Sequence, residues 1–540
     1  MSRPKSSTRW LAWGSPSCIS IVSSLLILIC ISASNGALVQ SSKSRAKENL
    51  TIAKLVSNVR KSVGYDTLKK LKSGFTVEEA LTESKNNGSF VYLFGPNGEL
   101  RRQASTLNPN AFVFDGKDGW LIDSRTGWPS PPLGRRAREK LLFPLWVRNN
   151  WWLNQTAPLT LSLLPEESND QRVAVSMKFR DGLVGAKLFV DRATWLPTTL
   201  VVEYESGPYT VEMKDYQEAF GFRYPHQFAI NYRGSTGNYK VSSITTISPT
   251  GTNPFSKPPP PSDTTFDNSR PAELRVAKGE GEEGHYYVRP LIDGRDIGWF
   301  HFDTGYSSMM IDTKFADELG MPVIDSFRTT DTDGKPKTIT IRRGKSFELG
   351  RVTIKDPIYL ADDLSMRNAP PDEKRAGLCG YPLFARVITE FIHGGGRIAL
   401  YDPASYKLTK DKWQKFTFVE HVPAVLAQLE GNREGLFILD TGAFGTVIFN
   451  SKYSKDQNLL ASRQVKEISG MGGGRNIKLL RGSIEWFQLA GYRFQNPVAE
   501  FGVGGEGLEM EGRAGVVGRD FMAPFTIVFD YSERRIAFIR

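Results

Sequence analysis

The stretch WFHFDTG at residues 299–305 decides the fold, because it returns as LFILDTG at residues 436–442. In each copy an apolar strand ends in Asp-Thr-Gly, and small or apolar residues follow. One Asp-Thr-Gly alone is weak evidence, since all three residues are common in turns. Two copies with matching flanks indicate a paired carboxylate site formed by Asp303 and Asp440.

The repeat extends beyond the tripeptide. Leu378-Cys379-Gly380 returns later in the chain as Val516-Val517-Gly518, and Arg397–Tyr401 returns at the same spacing as Arg535–Ile539. Nearly the same spacing separates the two Asp-Thr-Gly copies. Three elements in one order and nearly one period indicate an internal duplication. The alternative is two similar β units that merely share turn chemistry.

Each unit resembles a retropepsin-type aspartic protease subunit, in which Asp-Thr-Gly is followed by an apolar–apolar–Gly element and a final strand. Two units in one chain look like the pepsin arrangement, or like a fused version of the dimeric retroviral enzyme. The resemblance covers residues ~272–540 and implies a bilobal β fold with lobes at 272–408 and 409–540. In the family, Arg and then Asp or Asn often follow the second apolar–apolar–Gly. Arg519-Asp520 fits this pattern, whereas Tyr381-Pro382 departs from it in the first lobe.

The resemblance implies that Asp303 and Asp440 are the catalytic residues of an aspartic endopeptidase. Two close carboxylates do not both ionise readily, so one stays protonated while the other acts as a base toward water. The Thr and Gly of each motif are expected to support the pair: Thr304, Gly305, Thr441 and Gly442. The threonines would hydrogen-bond across the axis between the lobes, and the glycines would let the backbone pass close to the carboxyls. The expected partner is a peptide or protein substrate, and no cofactor is expected.

A hydrolytic site also needs a cover that excludes water. Thr330–Thr340 has an Asp333-Gly334 turn between polar strands, which is a hairpin signal, and Gly470–Gly474 occupies a comparable place in the second lobe. The family resemblance implies that both segments are flaps, with an ordinary surface turn as the alternative. His301 alternates with the inward positions of its strand and is predicted to be structural.

The N-terminus has the layout of an export signal. Residues 1–18 carry three basic residues and no acid, and an apolar run follows from Ile19 to Ala33. Residues 1–36 are therefore predicted to be a cleaved signal peptide or an uncleaved N-terminal membrane anchor. The expected location is the periplasm, the cell envelope or the exterior, with a membrane tether if the segment is retained. After cleavage only Cys379 would remain, which excludes an intramolecular disulfide.

A further domain is predicted at residues 46–249, ahead of a proline-rich linker at 250–271 that contains four consecutive prolines. Residues 46–85 have helical apolar spacing. Short strands separated by turn residues follow, which favours an antiparallel sheet. The strands are predicted at Phe90–Phe94, Ala111–Phe114, Lys187–Asp191, Thr198–Tyr204, Tyr209–Tyr216 and Gln227–Tyr232.

Residues ~50–248 resemble bacterial lipoprotein carriers of the LolA/LolB type. The resemblance rests on Asp115-Gly116-Lys117 with Trp120, on Trp195-Leu196-Pro197 and on Gly221–Pro225. It implies an α+β domain with a curved, unclosed antiparallel sheet whose concave face can hold acyl chains, and thus a lipid or lipoprotein ligand. With the doubled unit, the whole chain is then mainly β. Three tryptophans could line an apolar groove or belong to the core: Trp146, Trp151 and Trp152.

Charge and composition argue against other chemistries. The net charge is +11, but the basic residues are dispersed and lack the aromatic interleaving of a nucleic-acid site. The five histidines include no pair at metal-binding helical spacing, so no metal is expected. Gly502–Gly507 matches Gly-x-Gly-x-x-Gly without a βαβ unit and is predicted to be a flexible loop.

Three functions therefore remain open. The first is an exported aspartic endopeptidase. The second is a catalytically silent retropepsin-fold binding protein, against which the two intact aspartates argue. The third is an envelope protein that binds lipid or lipoprotein through its N-terminal domain, with the doubled unit as an accessory.

Overall fold

A computed structural model of the chain divides into two units by internal contacts. The N-terminal unit is Ser20–Pro260, and the C-terminal unit is Pro261–Arg540 together with Met1–Ile19. The structure describes residues 9–10, 50–82, 88–105, 110–123, 128–180, 182, 184–204, 207–232, 235–248, 253–257, 259–274, 276–278, 285–330, 336–364, 368–369, 373–392, 396–410, 412–419, 421–443, 445, 447–461, 463–472, 475–504 and 513–540.

The N-terminal unit is a twelve-stranded antiparallel sheet with helices, and its two terminal strands do not pair with each other in the described part of the chain. The helices are Ile52–Val63, Tyr65–Leu68 and Arg135–Arg148, with 3₁₀ turns at Trp151–Leu153 and Pro165–Glu167. In sheet order the strands are Gly119–Asp123, Asn110–Phe114, Leu100–Ser105, Ser89–Phe94, Phe75–Leu81, Ser235–Thr246, Phe222–Tyr232, Tyr209–Ala219, Pro197–Val202, Gly185–Asp191, Arg172–Phe179 and Leu159–Leu163. All six strands predicted from the sequence are confirmed, with ends shifted by a few residues.

The prediction of a helix over residues 46–85 is wrong for its second half. The first helix ends at Val63, and Gly64 caps it in the left-handed conformation at φ 69°. Gly74 then adopts φ 78°, which favours glycine, and Phe75–Leu81 continues as a strand. Burial alternates along this strand, which is the period-2 pattern of a sheet and was obscured by the helix-forming Glu78-Glu79-Ala80-Leu81.

One core cluster joins the helices of this unit to nearly every strand of its sheet. Neighbouring strands lie about 4.8 Å apart, so a flat twelve-stranded sheet would be too wide for nearly all of its strands to contact one cluster. The sheet therefore curves around the helices. Trp146 and Trp152 are buried in this cluster with Phe143 and Leu142. One cavity of about 30 Å³ lies beside Trp151, which is room for about one water molecule. Trp146 and Trp152 are therefore core residues, and Trp151 packs against the same cluster.

The first lobe of the C-terminal unit contains two sheets. The larger has the strands Ala277–Lys278, Tyr286–Val288, Trp299–Phe302, Glu373–Cys379, Met310–Asp312, Ile358–Asp362, Pro336–Arg343 and Val323–Thr330, with Asn368–Ala369 paired to Glu373–Cys379. The smaller has the strands Thr264–Phe266, Val352–Lys355, Ser346–Leu349, Leu291–Ile292 and Arg295–Asp296. Two short helices complete the lobe, Thr313–Glu318 and Tyr381–Phe384.

The second lobe has one large sheet and the helices Ser451–Asp456 and Arg519–Met522. Its strands in order are Arg9–Trp10, Lys466–Gly472, Arg475–Ser483, Val498–Gly502, Val447–Phe449, Gly515–Val517, Arg433–Leu439, Val422–Leu429, Trp486–Leu489 and Tyr492–Gln495, with Thr417–Val419 paired to Val422–Leu429. The lobes also share a six-stranded sheet, ordered Glu273–Leu274, Arg397–Tyr401, Ile388–Ile392, Thr526–Asp530, Arg535–Ile539 and Gln414–Lys415.

The duplication is present in strand pairing. In the first lobe Trp299–Phe302 runs parallel to Glu373–Cys379, which in turn pairs antiparallel with Met310–Asp312. In the second lobe Arg433–Leu439 runs parallel to Gly515–Val517, which pairs antiparallel with Val447–Phe449. The helix that follows begins in both lobes with a side-chain cap, from Asp312 in the first lobe and Asn450 in the second. Shared turn chemistry alone does not explain the matched pairing of three strands and the matched helix cap in each lobe.

The boundary before the first lobe lies earlier than predicted. Thr264–Phe266 pairs with Val352–Ile354, although it falls inside the predicted linker 250–271. The β-forming Thr-Thr-Phe follows shortly after the prolines, so the linker ends about where the two units divide, at Pro260 and Pro261.

Apart from Arg9 and Trp10, the predicted signal or anchor at 1–36 lies outside the described residues. Among the helices that the structure does describe, none is long and apolar enough to cross a membrane.

Candidate active site

Two strand ends place Asp303 and Asp440. The backbone N–H of Asp303 donates to the Cys379 carbonyl at 3.0 Å, and that of Asp440 donates to the Val517 carbonyl at 3.1 Å. Each aspartate is thus fixed by the strand of its own apolar–apolar–Gly element. Phe302 and Leu439, the residues before the aspartates, are fully buried, which makes both strand ends rigid.

The carboxyl groups are held by the glycines of the two motifs. The N–H of Gly305 donates to Oδ1 of Asp303 at 2.7 Å, and the N–H of Gly442 donates to Oδ1 of Asp440 at 2.8 Å. A Cβ atom on Gly442 would lie 2.6 Å from Oδ2 of Asp303, and one on Gly305 would overlap the Asp440 carboxyl. Each carboxyl therefore lies against the glycine of the other lobe, and no larger residue fits at either position.

The two threonines connect the lobes directly beneath the carboxyls. The N–H of Thr304 donates to Oγ1 of Thr441 at 3.0 Å, and the N–H of Thr441 donates to Oγ1 of Thr304 at 3.0 Å. The Thr304 hydroxyl donates to the carbonyl of Leu439 at 3.0 Å, and the Thr441 hydroxyl to that of Phe302 at 3.4 Å. This reciprocal exchange holds the two aspartate loops at a fixed separation.

The pair is sealed from solvent, since both aspartates are 0% exposed. Burial raises the pKa of Asp303 to about 6, against the lowering effect of the Gly305 N–H and the Arg375 guanidinium. Burial also raises the pKa of Asp440 well above its ordinary value, and the adjacent negative charge of Asp303 raises it further. At mildly acid pH the pair therefore carries a proton, which is the state needed to combine a base with an acid.

The departure of Tyr381-Pro382 from the family pattern leaves the backbone support of the first lobe intact. The N–H of Tyr381 donates to the carbonyl of Tyr306 at 2.8 Å, and the N–H of Arg519 donates to the carbonyl of Ala443 at 3.0 Å. Tyr306 and Ala443 each directly follow a motif glycine. The two lobes differ in the side chains at this point and agree in the main-chain contact.

Two residues near the pair were not singled out in the sequence. Arg375 is buried on the strand beside Trp299–Phe302. Arg513 is buried at the equivalent position of the second repeat, so comparison of the two repeats could have pointed to Arg375. Tyr531 follows the last buried strand of the shared sheet. Burial raises its pKa strongly, and the charge of Asp303 raises it further, which places this phenol in the field of the pair. No sequence pattern pointed to Tyr531.

The two predicted flap segments are hairpins. Val323–Thr330 pairs antiparallel with Pro336–Arg343, and Lys466–Gly472 pairs antiparallel with Arg475–Ser483. Their tips, residues 331–335 and 473–474, lie outside the described part of the chain. Among the described residues, no group of three His, Cys, Asp or Glu side chains could hold a metal ion.

Comparison with known proteins finds a family match within the first lobe and solved structures that are similar to parts of the chain. The family of aspartyl proteases matches residues 288–383, a segment of the first lobe that includes Asp303. A retropepsin-like aspartic protease from Rickettsia conorii is 14% identical over 24% of this chain and 97% of that chain, with a TM-score of 0.19. No curated protein matches the chain.

Other solved structures are also similar to part of the chain, among them two that each cover 37% of it. The LolA superfamily protein NE2245 from Nitrosomonas europaea is 16% identical, covers 37% of this chain and 97% of that chain, and has a TM-score of 0.28. A DUF1329 family protein from Desulfovibrio piger is 10% identical, covers 37% of this chain and 95% of that chain, and has a TM-score of 0.26.

Proposed function

We propose that this protein is an aspartic endopeptidase that hydrolyses peptide bonds through Asp303 and Asp440. The observation that carries the proposal is the reciprocal arrangement of the two motifs, in which each carboxyl lies against the glycine of the other lobe. Two similar loops fixed by Thr304 and Thr441 hold two acids together in a buried site. A binding protein has no need for two buried acids with raised pKa values at one point.

The chemistry follows from one shared proton. The ionised aspartate takes a proton from a water molecule, and the resulting hydroxide attacks the peptide carbonyl carbon. The protonated aspartate donates its proton to the carbonyl oxygen, so a neutral tetrahedral intermediate forms as the pair exchanges roles. Activity is expected at acid to mildly acid pH, where the singly protonated pair is most populated.

The buried state of the pair implies that a substrate must displace what covers it. The paired strands of the two hairpins, Val323–Thr330 with Pro336–Arg343 and Lys466–Gly472 with Arg475–Ser483, are the elements proposed to open and then close over an extended peptide. In the described part of the chain the outer edge of Val323–Thr330 is unpaired, whereas Lys466–Gly472 already pairs with Arg9–Trp10. A peptide backbone could add to the edge of Val323–Thr330 by main-chain hydrogen bonds. Closure would exclude water and strengthen every electrostatic interaction in the site.

The test is digestion of an unfolded protein and a peptide mixture between pH 3 and pH 7, with new termini identified by mass spectrometry. Wild-type protein is expected to cut internal peptide bonds. Asp303→Asn and Asp440→Asn, purified in parallel, are expected to lose nearly all cleavage while keeping the wild-type circular dichroism spectrum. Near-normal cleavage by either variant would show that the pair is not the catalyst.

Export is also proposed, on the basic-then-apolar layout of residues 1–36. N-terminal sequencing of membrane and soluble fractions distinguishes a cleaved signal, with a mature chain starting near Ala37, from a retained anchor. Full-length protein free in the cytoplasm would contradict both forms of the proposal.

A further inference from the structure

The two lobes differ in the layer directly behind their aspartates. In the first lobe Tyr287 is the cross-strand partner of His301, and in the second lobe Ala424 is the cross-strand partner of Ile438. The spacing from His301 to Ile438, and from Tyr287 to Ala424, equals that from Asp303 to Asp440. These positions therefore occupy the same place in the duplicated fold, with polar rings in one lobe and aliphatic side chains in the other.

The polar layer of the first lobe is a connected, buried group. The His301 ring is 0% exposed, and its Nδ1 lies 3.8 Å from Oδ2 of Asp303. The ring centroid of His285 lies 4.4 Å from that of His301, and the centroid of Tyr287 lies 5.6 Å from it. Arg375 donates from Nη2 to the Tyr287 hydroxyl at 2.9 Å. His285, Tyr287, Asp303 and Arg375 are the titratable or charged groups that the described contacts place around His301.

The corresponding layer of the second lobe is a continuous apolar cluster. Val422, Ala424 and Ile438 are all buried in it, and Val422 is the counterpart of His285. Arg375 also has a counterpart, Arg513, so a buried guanidinium is common to both lobes. What differs is the layer behind the aspartate, which consists of polar rings in the first lobe and of aliphatic side chains in the second.

An imidazole beside a carboxyl favours the ionised carboxyl in either of its protonation states. At 3.8 Å the imidazole and the carboxyl are too far apart for a hydrogen bond, so the ring acts on the carboxyl through its charge distribution. A neutral imidazole can turn the positive end of its dipole toward a carboxylate, and an imidazolium adds a positive charge. An aliphatic side chain such as Ile438 offers neither, and its packing only removes water from the carboxyl. Two carboxyls that share one proton are therefore placed in unequal surroundings.

We propose that His301, backed by Tyr287 and Arg375, is a positioning residue that fixes the ionised member of the pair on Asp303 and leaves the shared proton on Asp440. The inference rests on the proposed function and assigns roles within it. Asp303 then takes the proton from water, and Asp440 gives its proton to the carbonyl oxygen of the peptide. After this step Asp303 is protonated and Asp440 is ionised.

The test replaces His301 by isoleucine, the residue at its counterpart position 438, and follows kcat/KM of His301→Ile from pH 3 to pH 8. Removing the imidazole raises the pKa of Asp303, so the acid limb of the profile is expected to move to higher pH by about one unit. The alkaline limb is expected to move by less than half as much, and KM at the optimum to stay within about twofold. Tyr287→Phe, which breaks the link to Arg375, is expected to move the acid limb in the same direction by a smaller amount.

Ile438→Val is the matched control, because it alters packing at the counterpart position without removing a polar group. It is expected to leave both limbs in place. A His301→Ile profile that is lower at every pH with unmoved limbs would mean a purely structural role and would overturn the inference. Loss of cleavage in Asp303→Asn and Asp440→Asn in the same series would leave the proposed function standing in that case.

A second measurement does not depend on activity and compares melting temperatures of Asp440→Asn with and without His301→Ile from pH 4 to pH 8. A carboxyl whose pKa is raised by folding loses stability as pH rises from the unfolded pKa through the folded pKa. His301→Ile is expected to extend this loss to a pH about one unit higher. Coinciding pH dependences would overturn the inference even if no peptidase activity were found.

Discussion

At the scale of single residues, the site consists of two short loops that satisfy each other's hydrogen bonds. Thr304 and Thr441 are buried, and each accepts the backbone N–H of the other. A buried N–H that loses its acceptor pays the full desolvation penalty. The threonine hydroxyls therefore stabilise the lobe junction as well as the site.

Thr304→Ala tests this junction. The change removes the acceptor of the Thr441 N–H and the donor to the Leu439 carbonyl, so the free energy of unfolding is expected to fall by about 1–3 kcal/mol. Thr304→Ser keeps the hydroxyl and is the matched control, with a much smaller expected loss. Chemical denaturation of both variants measures the difference. Equal stabilities of the Ala and Ser variants would contradict the role of the hydroxyl.

The pKa of Asp303 gives a second residue-scale prediction. Burial raises this pKa to about 6, whereas an unfolded Asp has a pKa of about 3.9. As pH rises between these values, the unfolded chain releases a proton that the folded chain retains, so stability falls. Wild-type protein is expected to lose at least about 2 kcal/mol more than Asp303→Asn/Asp440→Asn between pH 4 and pH 7, since Asp440, whose pKa is also raised by burial, adds to the loss from Asp303. Parallel stability profiles of the two proteins would contradict the buried pair.

The sequence alone identified the six residues of the two motifs, because they are adjacent along the chain and occur twice. It predicted a structural role for His301 but did not show that the ring is buried 3.8 Å from Asp303. Tyr531 was missed, since its approach to the pair depends on how the shared sheet joins the lobes. Contacts that arise from tertiary packing leave no periodic signal.

At the scale of secondary-structure elements, short apolar segments and turn residues predicted six strands of the N-terminal unit. The prediction failed for one segment, which was assigned to a helix and is a strand. Residues 75–81 combine helix-forming side chains with a strand position that tertiary packing imposes. The strand carries Glu79 inward, where Arg148 of the helix Arg135–Arg148 forms an ion pair with it. The Arg148 guanidinium also lies over the rings of Tyr92 and Phe228, at 4.5 and 3.9 Å from their centroids. Strand and helix are therefore joined by a charge pair as well as by apolar packing.

Glu79→Ala tests this connection. The variant leaves the Arg148 cation buried without its carboxylate, and the expected destabilisation of the N-terminal unit is about 3–5 kcal/mol. Replacing both partners, in Glu79→Met/Arg148→Met, removes the charges together and is expected to be clearly less damaging. Thermal denaturation followed by circular dichroism compares the two. A double variant no more stable than Glu79→Ala would contradict the account.

At the scale of the whole molecule, the chain divides between Pro260 and Pro261. The strands Thr264–Phe266 and Glu273–Leu274 follow soon after. A chain of residues 261–540 is expected to fold cooperatively and to keep peptidase activity that depends on its aspartates. A chain of residues 276–540 lacks Thr264–Phe266 and Glu273–Leu274, which leaves two sheet edges unpaired. It is expected to melt at a lower temperature. Equal melting temperatures of the two chains would show that the domain begins at the later boundary.

The most direct test of the central claim is the kinetic comparison of Asp303→Asn, Asp440→Asn and the double variant on one peptide substrate. If the two acids act as one catalytic unit, each single substitution lowers kcat/KM by on the order of 10⁴-fold, and the double variant is no worse than either. Independent contributions would instead multiply in the double variant. Multiplying losses, or a single variant that retains most of the activity, would contradict a shared-proton pair at Asp303 and Asp440.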